Sequence, residues 1–165
     1  MVINLIILFL SFFQINQEKN LGSIERISSD INKLIDLDSK IEILAEGFDW
    51  SEGPVWSKKL NSILFSDVPK NVIYKWNEKE GLSVFSKSIG YSGKVPNLKK
   101  AGTNGLTIDS EGNLIICMHG DRMIAKMENL NTKKLSSIIS SYNNKLLNSP
   151  NDLVYDLYGN LFFTD

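Results

Sequence analysis

The chain has 165 residues but a single cysteine, Cys117, and a single histidine, His119. One cysteine excludes an internal disulfide framework. The scarcity of both residue types excludes a His-rich zinc site, and any Ser-His-Asp triad that does not use His119. Charge of one sign is lacking too: 18 Lys and Arg stand against 19 Asp and Glu, for a formal charge of -1. That removes the electrostatic case for wrapping a nucleic-acid backbone, which needs many clustered cations. The longest apolar run, VINLIILFLSFF at residues 2–13, is short of the roughly 20 residues that span a bilayer. What remains is an ordinary globular composition, 42% hydrophobic and 22% charged. Collagen-like, disulfide-dense and wholly disordered chains are thereby excluded.

The run at 2–13 fits the apolar core of a secretory signal peptide. Only the terminal amine supplies positive charge ahead of it, and residues 14–20 hold no small-x-small cleavage site. Residues 1–20 therefore read as a signal peptide or an uncleaved anchor. This expectation places the protein in the periplasm or outside the cell, with the cytoplasm as the alternative. Membrane contact is expected only through this segment. Residues 21–40 follow as an amphipathic helix and linker. Ile24, Ile27, Ile31 and Leu34 draw one apolar stripe, and Ser23 can cap the first turn, which predicts a helix over 23–35 packed on the main body.

From residue 41 onward the chain repeats. Asn104-Gly105-Leu106-Thr107-Ile108-Asp109-Ser110-Glu111-Gly112-Asn113-Leu114-Ile115 returns without a gap as Asn151-Asp152-Leu153-Val154-Tyr155-Asp156-Leu157-Tyr158-Gly159-Asn160-Leu161-Phe162. A looser copy begins at Glu52-Gly53-Pro54-Val55-Trp56 and ends Phe65-Ser66-Asp67, to be compared with Phe163-Thr164-Asp165. Each copy reads strand, tight turn, strand. The Asp-x-x-Gly-Asn turns at Asp109 and Asp156 suit hairpins, because Asp bonds back to turn amides and Gly supplies positive φ. Two further strands follow in the full copies, at 72–76 with 82–86 and at 123–127 with 135–139. Four antiparallel strands every ~50 residues are the signature of a β-propeller blade. The expected fold is all-β, with blades over 53–86 and 104–139 and a lone hairpin over 152–165. Propellers close with 4–8 blades. Residues 41–165 thus read as a truncated, N-terminal piece of about two and a half blades.

In a propeller the first strand of each blade lines the channel, and its first residues lie at one mouth. The repeat places Glu52, Asn104 and Asn151 at equivalent points there, with Asp67, His119-Gly120-Asp121 and Asp165 near by. One carboxylate and two amides converging on an axis make an oxygen-rich site of the kind hard cations take. The same residue types also serve simply as turn formers that bond their own backbone. Cys117 lies in an apolar strand and reads as core. Trp50 and Trp56 read as packing between blades, and Arg122 as a surface charge.

The ordered set Ala45-Glu46-Gly47-Phe48-x-Trp50-x-Glu52-Gly53-Pro54-Val55-Trp56, Thr103-Asn104-Gly105-Leu106, His119-Gly120-Asp121-Arg122 and Ser149-Pro150-Asn151-Asp152 resembles the gluconolactonase branch of the senescence-marker-protein/gluconolactonase/luciferin-regenerating-enzyme family. Phe163-Thr164-Asp165 completes the set, and the resemblance runs from about residue 24 to residue 165. It implies a six-bladed propeller with one divalent cation in its channel, Ca²⁺ first, with Mg²⁺ or Zn²⁺ as the other candidates. It also implies hydrolysis of a sugar lactone, D-glucono-1,5-lactone being the usual substrate. By position, Glu52 resembles the first metal-ligating carboxylate, and Asn151 a residue that faces metal or substrate. Asn104 and His119 match places that hold substrate. The family's catalytic Asp and later ligands fall in blades beyond these copies. The general base is therefore unassigned, and the truncated chain alone is expected to be inactive. The alternative is a non-catalytic propeller fragment that binds a small ligand or a protein.

Overall fold

A computed structural model describes residues 21–93 and 102–165. The apolar run at 2–13 lies outside the described residues. Two compact units divide between Ile43 and Leu44.

In the first unit the predicted helix shrinks to one 3₁₀ turn, Ser29–Lys33, capped by Ser28 rather than Ser23. Ser28 Oγ accepts the Asp30 N–H at 3.2 Å, and Lys33 pairs with Asp30 at 2.7 Å. The reason is nucleation: a short helix is marginal unless a packed face stabilises it. None of the turn's residues is buried, and Ile27 and Leu34, half of the supposed stripe, are exposed. Arg26 competes with a helical path by donating to Asn32 Oδ1 and to the carbonyls of Ile35 and Asp36. Among the described residues no helix is long and apolar enough to cross a membrane.

The second unit is built of β-strands. Strands β1 (Ser51–Ser57), β2 (Ser62–Asp67), β3 (Val72–Asn77) and β4 (Gly81–Lys87) form one four-stranded antiparallel sheet in sequence order. Strands β5 (Thr103–Ile108), β6 (Leu114–Met118), β7 (Met123–Asn129) and β8 (Lys134–Ile139) form another. After a two-residue pair, β9 (Ser141–Tyr142) with β10 (Lys145–Leu146), a further hairpin joins β11 (Leu153–Tyr155) to β12 (Leu161–Phe163). These are the expected blades and hairpin. The β9–β10 pair was not expected; it turns through Asn143 and Asn144, both at positive φ (48° and 61°), as a tight hairpin requires.

The repeated turns form as their residues dictate. Asp109 Oδ1 accepts the N–H groups of Glu111 (3.0 Å) and Asn113 (2.8 Å), and Oδ2 accepts from the Asn113 amide at 2.9 Å. Asp156 does the same for Tyr158 (2.9 Å), Asn160 (2.8 Å) and the Asn160 amide (2.8 Å). Gly112 and Gly159 supply the positive φ of 77° and 85°.

The sheets stack face to face. Leu64, Ile73 and Phe85 of the first blade share a core cluster with Leu106, Leu114, Ile116 and Met127 of the second. The opposite face of the second blade, Ile115, Cys117 and Ile124, packs on Leu153, Tyr155, Leu161 and Phe163. Strand β6 is consequently buried along its whole length. Cys117 is core, as its apolar strand implies: burial, with the charges of Asp152 and Asp165, pushes its thiol up to about 12. Antiparallel four-stranded sheets stacked in series, with a hairpin opening a third, are β-propeller architecture.

Candidate functional site

The mouth residues are aimed by a device repeated in both full blades. The β1–β2 register shifts between Glu52 and Val55, and the β5–β6 register between Thr103 and Leu106. Each is a β-bulge, which bends a strand and re-aims a side chain. Glycine is required at both. Gly53 has φ +58°, and a Cβ there would lie 2.6 Å from the Leu106 nitrogen. A Cβ on Gly105 would lie 2.6 Å from Asp152 Oδ1 and 2.8 Å from the Asn151 carbonyl oxygen. Successive inner strands therefore touch backbone to backbone, and the Gly105 N–H donates to that Asn151 carbonyl at 2.8 Å. Ser66 Oγ donates to the Asn104 carbonyl at 2.6 Å.

This contact brings the rim together. Asn104 Nδ2 donates to Asn151 Oδ1 at 2.9 Å across the 47-residue repeat. Glu52, Asn104, His119 and Asn151 line one cavity of about 710 Å³, with Asp49, Trp50, Val68 and Pro69 completing its wall. The three residues placed by the repeat thus meet in one place, with His119 beside them. The other acids near the mouth do not join them. Asp67 is fully buried and bonds the Asp49 and Trp50 amides at 3.2 and 3.3 Å, and Lys70 at 3.0 Å. Burial works to raise its pKa, but Lys70 and the two amides outweigh it and hold the carboxyl below its ordinary value. Asp165 bonds the Asn148 and Ser149 amides at 2.6 and 2.8 Å. Asp121 Oδ1 accepts from Ser92 N–H and Oγ–H at 2.9 and 3.0 Å.

Two readings of the sequence are corrected here. Trp50 does not pack between blades: it is 62% exposed and donates its Nε1–H to Glu52 Oε1 at 2.7 Å. The signal was present in the spacing, since residues two apart in an extended chain share a side. Trp56, 48% exposed, is likewise not sealed between blades in this chain. Arg122 is no free surface charge; its Nε donates to the Leu147 carbonyl and ties the second blade to the loop before β11.

His119 lines the cavity with its Nδ1 buried and unpartnered. Burial lowers its pKa, against a smaller upward pull from Asp165, so the imidazole is neutral at pH 7. The donors suit a hard cation in type: Glu52 brings the charge, and Asn104 and Asn151 bring amide oxygens. No group of three or more His, Cys, Asp or Glu side chains able to hold an ion occurs among the described residues. The match to a cation is therefore one of donor type, not of a complete ligand set.

Comparison with known proteins agrees with the fold. Residues 50–165 match the profile of the SMP-30/Gluconolactonase/LRE-like region. A gluconolactonase of Zymomonas mobilis subsp. mobilis is 35% identical over 147 residues, which are 88% of this chain and 41% of that protein. The solved structure of a gluconolactonase from Xanthomonas campestris superposes with a TM-score of 0.62 at 30% identity, over 74% of this chain and 37% of its own. A virginiamycin B lyase from Staphylococcus aureus, with a TM-score of 0.51 at 18% identity over 79% of this chain and 40% of its own, shares the fold alone. The chain spans 41% of the length of the curated relative it matches.

Proposed function

Since this chain belongs to the SMP-30/gluconolactonase/LRE-like family, we propose that its cavity binds a sugar lactone and contributes to hydrolysis of the lactone ester. The observation that carries the reading is the convergence of Glu52, Asn104, His119 and Asn151 on one cavity. A divalent cation bound there, Ca²⁺ by preference, would polarise the lactone carbonyl and acidify a water.

The chain's own residues have separable tasks in this proposal. Glu52 would supply negative charge to the ion, with its Oε1 steadied by the Trp50 indole. Asn151 Oδ1 accepts from Asn104 and keeps a second lone pair for the ion or a substrate hydroxyl. Asn104 and the neutral His119 offer donors and acceptors for ring hydroxyls. Val68 and Pro69 give an apolar wall that limits water. Asp49, the other acid of the wall, is paired with Lys70 at 3.2 Å. Two blades and a hairpin supply one arc of a channel that needs 4–8 blades to close. No general base is assigned among the described residues, whose task in this proposal is binding rather than turnover.

The test is calorimetric titration of the chain with D-glucono-1,5-lactone, with Ca²⁺ present or chelated, beside a pH-stat assay. Ca²⁺-dependent binding that Glu52→Gln abolishes is the expected result, with hydrolysis at the background rate. Unchanged lactone and Ca²⁺ affinity in Glu52→Gln rejects the site.

A further inference from the structure

The side chains of Asp67 and Asp165 are absent from the cavity wall, yet both are fixed by the same geometry. Asp67 closes β2 opposite Ser51, and its two carboxylate oxygens accept successive amides, Asp49 N–H at 3.2 Å and Trp50 N–H at 3.3 Å. Asp165, just past β12, accepts successive amides as well, Asn148 N–H at 2.6 Å and Ser149 N–H at 2.8 Å. In each case the second clipped amide lies two residues before the rim residue: Trp50 before Glu52, and Ser149 before Asn151. The first clip is reinforced. Lys70 Nζ reaches Asp67 (3.0 Å), Asp49 (3.2 Å) and the Gly47 carbonyl (2.9 Å), and Val68 N–H donates to the Trp50 carbonyl at 3.0 Å.

The second blade supplies an internal contrast. Met118 stands opposite Thr103, where Asp67 stands opposite Ser51, and Thr103 Oγ1 is buried without a partner. The rim residue there, Asn104, is held from its neighbours instead, by Ser66 and by Asn151.

We infer that Asp67 and Asp165 are positioning residues of the rim, each clipping the loop that delivers its blade's mouth residue, Asp67 acting on Glu52 and Asp165 on Asn151. A carboxylate suits this task because its two oxygens accept two parallel N–H groups, and charged acceptors make the stronger hydrogen bonds. Trp50 transmits the first clip directly, since its backbone is clipped while its indole holds Glu52 Oε1 at 2.7 Å. The use to which this order is put rests on the proposed lactone site; the clip itself does not.

The experiment compares the wild-type chain with Asp67→Asn, Asp165→Asn, Lys70→Met and Glu52→Gln. Amide hydrogen exchange reads the clips, and Tb³⁺ luminescence sensitised by Trp50 reads cation affinity at Glu52. In Asp67→Asn the Asp49 and Trp50 amides exchange at least about tenfold faster, while Asn148, Ser149 and the strand interiors keep their protection. Asp165→Asn gives the converse pattern, and Lys70→Met a weaker form of the first. Tb³⁺ affinity falls about tenfold in Asp67→Asn, as expected if a hydrogen-bonded carboxylate orders the ligand. Unchanged exchange, or a rise spread evenly over the blade, overturns the inference. So does local exchange with wild-type Tb³⁺ affinity when Glu52→Gln has lost it. Should Glu52→Gln bind Tb³⁺ like wild type, the proposed cation site has failed on its own. Asp67 is then judged by Trp50 fluorescence anisotropy, where a fall in Asp67→Asn supports positioning and an unchanged value overturns it. Should Asp67→Asn not fold, Lys70→Met carries the same readouts.

Discussion

Two glycines set how closely the blades approach, and so where the rim residues stand. Gly105 has no φ that demands glycine; its constraint is space, with Asp152 Oδ1 and the Asn151 carbonyl where a methyl would go. Overpacking of this kind costs about 1–3 kcal/mol. Gly105→Ala is therefore expected to lower stability by that amount, read as a drop in the urea midpoint, and to part Asn104 from Asn151. Gly53→Ala is expected to be the more damaging, because its φ of +58° adds backbone strain to a 2.6 Å clash. Wild-type midpoints in both would show that the blades can move apart freely. At this scale much of the site was legible. Aligning the three copies sets Asn104 and Asn151 beside Glu52, although the copies lie 52 and 47 residues apart, because a repeat unit folds to one geometry and matching positions land at matching heights. Direction within the rim was not legible. Asp67 and Asp165 have the residue type of a ligand, but their carboxylates turn to backbone amides, and only three-dimensional loop paths decide that.

Among the elements, the strands and their Asx turns were readable because their signals are local: alternating apolar residues, then Asp and Gly at fixed offsets. The helix over 23–35 failed because an apolar stripe needs a partner surface, and none of the residues of Ser29–Lys33 is buried. The β9–β10 pair was not legible because Asn-Asn is a weaker turn signal than Asn-Gly. The turn acids also make a pH prediction. Asp109 is subject to burial, which raises its pKa, but Asn113 and Lys126 more than offset this and the carboxyl sits below its ordinary 3.8. Asp67 is depressed in the same sense. A group whose pKa is lower folded than unfolded contributes stability above the unfolded value and loses it as pH falls through the folded one. The β1–β8 sheets are thus expected to hold their thermal midpoint down to about pH 4 as far as these carboxyls are concerned, then lose it steeply below. Asp109→Asn should be less stable at pH 7 and show a shallower acid limb, followed by circular dichroism melts. An acid limb identical to wild type would remove Asp109 from the account.

For the molecule as a whole, the physics of stacked sheets dictates the last prediction. A blade buries each face against a neighbour, and the second blade shows the result, with β6 buried throughout between two partners. Among the described residues, a sheet packs on one face of the first blade, and its other face meets only the Phe48 ring, against Phe65 and Tyr74. Trp56, Leu82 and Val84 on β1 and β4 are 48%, 40% and 46% exposed. The β11–β12 hairpin likewise leaves Val154 and Phe162 61% and 58% exposed. Exposed apolar clusters at about 25 cal/mol per Å² are a driving force for association, and unpaired strand edges add hydrogen-bonding capacity to it. The described chain is therefore expected to self-associate at micromolar concentration, seen as a rising mass in light scattering. Because the force is apolar burial, charge on these faces should oppose it. The pair Val84→Lys and Phe162→Glu changes one side chain on each face, neither of them in the cavity wall, and is expected to lower the scattered mass while leaving the exchange protection of β6 intact. A monodisperse wild-type monomer with a single cooperative melt would contradict the expectation, and would mean that these residues find cover within one chain. If mass falls in the double variant but β6 loses protection, the two faces were stabilising the blades rather than joining copies. Protection retained with mass reduced separates those cases and places the driving force on the surfaces named.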